Sequence, residues 1–213
     1  MTVIVLAGTI GAGKTSLSEM IAKELETEVF FESVENNEIL PLFYQDPEKY
    51  SFLLQIYFLN KRFKSIKEAL VHDNNVLDRS IYEDSLLFHL NADLGRASTQ
   101  EVEVYDELLK NMMEELPFAS HKKQPDLLVH IKVSFETMLE RIEKRNRPYE
   151  QLSFDPNLYD YYKELNQRYE QWFIDYNESP KIQIDGDQFN FVEDETAAKE
   201  VINMVLKKLE KIR

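Results

Sequence analysis

The sequence predicts an α/β fold: a parallel, five-stranded sheet with helices on both faces. Three observations predict it. Five short apolar runs, Val3 to Ala7, Val29 to Phe31, Val76 to Leu77, Leu127 to Val133 and Ile182 to Ile184, alternate with longer stretches of helical period. Their apolar residues are consecutive rather than alternating, as in strands covered on each side. A glycine-rich turn separates the first run from the first helical stretch, and ligands of such sheets gather at the strands' carboxyl ends.

That turn is the first element with chemical content. Gly8-Thr9-Ile10-Gly11-Ala12-Gly13-Lys14-Thr15, followed by Ser16, meets the full G-x-x-x-x-G-K-[ST] pattern after an apolar strand. Its glycines allow backbone N–H groups to close around phosphate oxygens, and the following helix adds the positive end of its dipole. Lys14 is expected on the β/γ-phosphates of a nucleoside triphosphate and Thr15 on Mg²⁺. Glu32 follows the second run and emerges at the same sheet edge, either as a general base or as a solvated carboxylate. Asp78-Arg79-Ser80 comes directly off the third run. Asp78 stands where a metal-organising carboxylate sits, and Arg79 serves either the transferring phosphate or a structural ion pair.

The later elements read mostly as packing. Residues 99 to 116 repeat apolar positions at Tyr105, Leu108, Leu109, Met112 and Leu116, with Ser98 and Glu101 spaced for a capping box. Arg141, Arg145 and Arg147 cluster in an otherwise acidic chain, Arg141 and Arg145 sharing one helix face. They form either a mobile lid over the γ-phosphate, about 141–152, or a solvated face. Asp155-Pro156 starts a helix carrying Leu158, Tyr161, Tyr162, Leu165, Tyr169, Trp172 and Tyr176, and the tail carries Ala198, Val201, Val205, Leu209 and Ile212. No linker or repeat divides the chain, so residues 1–213 are expected to form one domain.

Composition narrows the class of partner. Lys+Arg number 25 against Asp+Glu 39, a formal net charge of −14, which opposes binding to nucleic acid or an anionic membrane and favours a small-molecule substrate. The chain has no cysteine, which excludes disulfides, thiol catalysis and Cys-ligated zinc. No apolar run approaches the roughly 20 residues of a membrane span. A cytoplasmic protein is expected.

With these motifs in order, the chain resembles the deoxynucleoside kinases, specifically the bacterial deoxyadenosine/deoxyguanosine kinase branch, over nearly its whole length. The glycine turn resembles the family's phosphate loop and Phe31-Glu32-Ser33-Val34 its glutamate motif, usually Glu-Pro-Val, with serine here in place of proline. Asp78-Arg79-Ser80 with Tyr82 and Asp84 resembles its Glu/Asp-Arg-Ser stretch, the aspartate being shorter than the glutamate of the animal enzymes. Arg141, Arg145, Arg147, Glu150 and Gln151 resemble its lid.

The resemblance implies a P-loop kinase using ATP and Mg²⁺ to phosphorylate the 5′-hydroxyl of a purine deoxynucleoside. Glu32 would be the base, Arg79 would hold the acceptor oxygen, and the three lid arginines would stabilise the transferring phosphoryl group. Tyr44 and Glu150 would contact the sugar 3′-hydroxyl, Gln55 would read the base with Arg62 and Asp84, and Val34, Leu40, Phe43, Leu54 and Phe88 would wall its pocket. Asp187, Gln188 and Phe189 would cover the donor adenine. A homodimer and feedback by a deoxynucleoside triphosphate are also implied.

Two other readings remain open. A nucleoside monophosphate kinase shares the loop and an Asp-Arg pair but needs cations for its acceptor phosphate, where this chain has the acidic stretch Phe31-Glu32-Ser33-Val34-Glu35-Asn36-Asn37-Glu38. A guanine-nucleotide switch would carry Asn-Lys-x-Asp, and Asn60-Lys61-Arg62-Phe63 lacks the aspartate.

Overall fold

The computed structural model describes residues 2–32, 37–69, 75–119 and 124–212, without the side chains of 116–119. Ser33 and Val34, and the side chain of Leu116, lie outside the described residues. Five strands, β1 (Val3–Ala7), β2 (Glu28–Phe30), β3 (Asn75–Leu77), β4 (Leu127–Lys132) and β5 (Lys181–Asp185), form one sheet in the order β2-β3-β1-β4-β5. Every pairing is parallel; Ile4 sits opposite Val76 on one side and Leu127 on the other.

The period-two geometry of β1 divides the core between the sheet's faces. Ile4 and Leu6, with Val129 and Ile131 of β4, pack on Leu17 and Ile21 of α1 (Lys14–Glu24) and on Val201 and Val205 of α8 (Glu195–Ile212). Val3, Val5, Ala7 and Leu128 face the other way, onto Ala69 of α3 (Pro47–Ala69) and Tyr176 just beyond α7 (Leu158–Asp175). The expectation of strands covered on both faces holds for β1 and β3 and fails at the edges. Glu28 of β2 and Gln183 of β5 are exposed, because an edge strand lacks a neighbour on one side. Phe31, expected in the second run, lies past the end of β2 and is 49% exposed.

Local signals place the helices. Ser98 Oγ accepts the Glu101 N–H at 3.3 Å while Glu101 Oε2 accepts the Ser98 N–H at 2.7 Å, the reciprocal box that opens α5 (Thr99–Ala119). Ser134 caps α6 (Phe135–Arg145), and Asn146 ends it at φ 56°. The remaining helices, α2 (Ile39–Gln45) and α4 (Asp84–Asp93), lie after β2 and β3. Among the described residues no helix is long and apolar enough to cross a membrane.

A buried ionisable side chain, that of His130, lies within this frame. His130 of β4 is buried, stacks on Phe173 at 4.8 Å and Tyr169 at 6.0 Å between ring centroids, and meets the Gln183 amide at 3.0 Å through Nδ1. Burial, helped by Lys14 and Lys132, pushes it down from 6.5 to about 3. The folded protein therefore holds it neutral, a contribution present above pH 6.5 and lost as pH falls toward 3. Each proton taken up on unfolding is worth about 1.4 kcal/mol per pH unit. Between pH 6.5 and 5 the wild type should lose about 2 kcal/mol more stability than His130→Gln. Urea denaturation across that range checks this; parallel stability curves would contradict it.

Candidate active site

The glycine loop owes its shape to three positive φ angles: Gly8 at 143°, Gly11 at 75° and Gly13 at 97°. At Gly8 a Cβ would stand 2.6 Å from the Ile131 carbonyl oxygen, so both backbone angle and neighbouring strand require glycine there. Gly13 opens α1 without a side-chain cap, leaving the first helical N–H groups directed at the loop's hollow. Lys14 is buried, and its Nζ donates to the carbonyls of Gly8 at 2.8 Å and Thr9 at 2.9 Å. Burial, seconded by Arg79, lowers it to about 8. Thr9 is buried with its hydroxyl 3.3 Å from Met138 Sδ, Ala12 is buried, and Ile10 and Ser16 are half-buried.

Beside this loop, at the carboxyl ends of β2 and β3, lies a network of charges. Glu32 Oε1 is 2.7 Å from Arg79 Nε and 3.1 Å from Arg62 Nη2. Burial works to raise the Glu32 carboxyl, but Arg79, Arg62 and Lys14 together draw it down to about 2. Arg79 Nη1 also donates to Glu83 Oε1 at 3.0 Å and to the Tyr169 hydroxyl at 3.1 Å. Glu83 Oε2 accepts the Gly8 N–H at 3.1 Å. Arg62 Nη1 grips Asp84 Oδ1 at 2.7 Å, although burial pushes Asp84 up to about 7.

Asp78 joins the two halves. Its Oδ2 accepts the Thr15 hydroxyl at 2.7 Å, while Oδ1 is buried with no hydrogen-bond partner among the described residues. Burial raises this carboxyl to about 6, against the pull of Thr15 and Lys14. A hydroxyl and a carboxylate with a spare oxygen beside a phosphate loop suit Mg²⁺, which is bound through one or two protein oxygens plus substrate phosphates.

The chain matches the family model described as Deoxynucleoside kinase over residues 4–210. It belongs to the deoxynucleoside kinase family. It is 59% identical to the deoxyguanosine kinase of Lactobacillus johnsonii, covering 100% of this chain and 94% of that protein. It is 50% identical to the deoxyadenosine kinase of Lactobacillus acidophilus, covering 99% and 97%. Among solved structures, that of deoxyadenosine kinase from M. mycoides with bound dCTP is similar, with a TM-score of 0.79 and 29% identity over 97% of this chain and 100% of that one.

In this deoxynucleoside kinase the expected residues fall into four groups. Lys14, Thr15, Asp78, Glu32, Arg79, Arg62 and Asp84 share one network. Tyr44, Leu40, Phe43 and Leu54 are buried nearby in the main core, Tyr44 packing on Tyr149 at 5.2 Å; Gln55 is buried, its Oε1 unpartnered among the described residues. Glu150 is buried and is held by Arg145 at 2.5 Å and by Arg147 at 3.4 Å. Phe88 sits in a separate cluster with Leu59, Ile81 and Tyr105, its ring 4.9 Å from that of Tyr105.

The arginines expected over a phosphate have protein partners in this structure. Arg141 donates to the carbonyls of Ala12 at 3.0 Å and Gly186 at 2.8 Å. Asp187 accepts the Ser134 N–H at 2.8 Å, Gln188 is exposed, and Phe189 packs half-buried on the core.

Glu83 is not among the residues the sequence singles out, and Tyr169 reads there only as part of a packing stripe. The i,i+4 spacing of Arg79 and Glu83 was a usable signal; for Tyr169, 90 residues from Arg79, there was none. The strain at Gly8 gives a direct test. Gly8→Ala should cost roughly 2 to 3 kcal/mol of stability and abolish tight ATP binding, because it adds a clash to a disfavoured backbone. Gly95→Ala, at φ 75° with nothing near its Cβ, should cost about 1 to 2 kcal/mol from the backbone alone. Chemical denaturation and calorimetric titration with ATP measure both; equal costs would remove the Ile131 contact from the explanation.

Proposed function

We propose that this protein transfers the γ-phosphoryl group of ATP to the 5′-hydroxyl of a purine deoxynucleoside, deoxyguanosine or deoxyadenosine. The observation that carries the reading is the Glu32 and Arg79 pair, fixed at 2.7 Å beside a complete phosphate loop. Phosphoryl transfer needs alignment, charge stabilisation and removal of one proton, and these are the groups that supply them.

The donor side works by charge. Lys14 and the α1 N-terminus receive the phosphates, and Arg141, Arg145 and Arg147 exchange their present partners for the transferring group. Mg²⁺, when bound, neutralises charge on the β- and γ-phosphates; Thr15 and Asp78 would hold it. On the acceptor side Arg79 positions the 5′-oxygen and Glu32 takes its proton. A carboxyl held near 2 is a weak base, so the substrate hydroxyl must claim part of Arg79's attention and loosen its grip on Glu32.

Purine specificity is supported by the names of the relatives and by two buried acceptors without a partner among the described residues, Gln55 Oε1 and Asp84 Oδ2. Gln55 and Arg62 lie seven residues apart on one face of α3, and Arg62 holds Asp84. Two acceptors and a guanidinium complement the N1–H, N2–H₂ and O6 of guanine, which places deoxyguanosine ahead of deoxyadenosine. A monophosphate acceptor suits the site poorly, since Arg62 and Arg79 are already engaged by Glu32, Asp84 and Glu83.

Purified protein with ATP and Mg²⁺ should convert deoxyguanosine to its monophosphate faster than deoxyadenosine or deoxycytidine, and should not phosphorylate deoxyguanosine monophosphate. Absence of any deoxynucleoside turnover would defeat the reading. Glu32→Gln should lower kcat by about 10² to 10⁴ with little change in the KM of ATP. Steady-state kinetics decides this, and near-normal kcat would remove Glu32 from the role of base.

A further inference from the structure

Glu83 is fully buried, yet each of its carboxyl oxygens has a partner from a different strand end. Oε2 accepts the N–H of Gly8, the first residue beyond β1, and Oε1 accepts Nη1 of Arg79, two residues beyond β3. The first partner begins the loop that holds the donor; the second reaches the acceptor base Glu32. Glu83 is therefore a direct hydrogen-bonded bridge between the two half-sites.

Its own position is set from outside the network. It ends a short 3₁₀ turn, Ile81–Glu83, whose start is capped by Ser80 Oγ accepting the Tyr82 N–H at 3.1 Å. The Trp172 indole donates to the Tyr82 carbonyl at 3.0 Å, so α7 anchors the same turn. Tyr169, one helical turn before Trp172, holds Arg79. The turn, the guanidinium and the loop are thus tied to one another by hydrogen bonds.

We infer that Glu83 is a positioning residue for phosphoryl transfer, setting the distance between the phosphate loop and the Arg79 guanidinium so that donor phosphate and acceptor oxygen stay in line. It touches neither substrate; it acts through Arg79 and the Gly8 amide. In-line transfer is sensitive to misplacement on the order of 1 Å, which is what loss of this bridge permits. The inference rests on the kinase reading above. Wild-type protein without deoxynucleoside kinase activity would defeat that reading, whereas an active wild type with an indifferent Glu83 defeats only the inference.

Glutamine at this position keeps one acceptor but turns an amide donor toward the other donor. Glu83→Gln should lower kcat by at least about tenfold with the KM of ATP and of the deoxynucleoside changed by less than about threefold. In an Arg79→Lys background the same substitution should cost under about threefold, because the path through the guanidinium is already broken. Equal losses in both backgrounds, or a change in KM alone, would overturn the inference. Should Glu83→Gln fail to fold, Glu83→Asp in the same cycle and the wild-type Gly8 amide resonance carry the test. That resonance should shift when deoxyguanosine is added without ATP and stay fixed in Arg79→Lys; an unmoved wild-type resonance overturns the proposal.

Discussion

The guanidinium of Arg79, held between the carboxyl groups of Glu32 and Glu83, is the contact on which the remaining arrangement depends. A buried charge is tolerated only where partners compensate the loss of water, and removing one partner leaves the others exposed to the full cost. The chain leaving β2 must therefore bring Glu32 to Arg79, and the chain leaving β3 must turn back through Ile81–Glu83 to bring Glu83 there. Gly8 then completes the set by offering its N–H to Glu83. Three separate loops acquire one geometry because none can relax alone.

The apolar frame makes this possible by being indifferent to it. Ile4, Leu6, Val129 and Ile131 fill one face of the sheet and Val3, Val5, Ala7 and Leu128 the other, so the strands hold their register through packing. The polar network gathers beyond the strand ends, where the chains leaving β2 and β3 bring residues 32, 78 and 79 toward side chains of α3, α4 and α7. His130 is an ionisable group inside the frame, and its burial among stacked aromatic rings keeps it neutral. Its neighbour in the stack, Tyr169, also reaches Arg79, so the interior of the sheet and the site share one side chain.

What could be read from the sequence was local. The glycine loop follows from eight consecutive residues, and the capping box of α5 from Ser98 and Glu101, three apart; both were legible because their physics lies within one turn of chain. The convergence of Glu32, Asp78 and Arg79 could be inferred from strand order, since parallel strands end at the same edge. Tyr169 reads as an ordinary core residue, because no sequence period records a hydrogen bond across 90 residues. The edge strands were overcalled as buried for the same reason: Glu28 and Gln183 belong to strands with one neighbour, a property of sheet order rather than of the run itself.

An acidic chain that binds a polyanion must solve its charge locally, and the partners of each cation show where. Lys14 and Arg141 rest on neutral carbonyls, those of Gly8, Thr9, Ala12 and Gly186. A phosphate offers them a stronger, charge-assisted bond, so exchange is favourable. Arg62 and Arg79 rest instead on the carboxyl groups of Glu32, Asp84 and Glu83, and a phosphate arriving there would have to displace buried negative charge. Long-range repulsion from the net charge of −14 is screened within about 10 Å at moderate salt, so these immediate partners decide the outcome. Lys14 and Arg141, resting on carbonyls, are thus the cations a phosphate would draw most readily, whereas Arg62 and Arg79, committed to carboxyl groups, favour an uncharged neighbour.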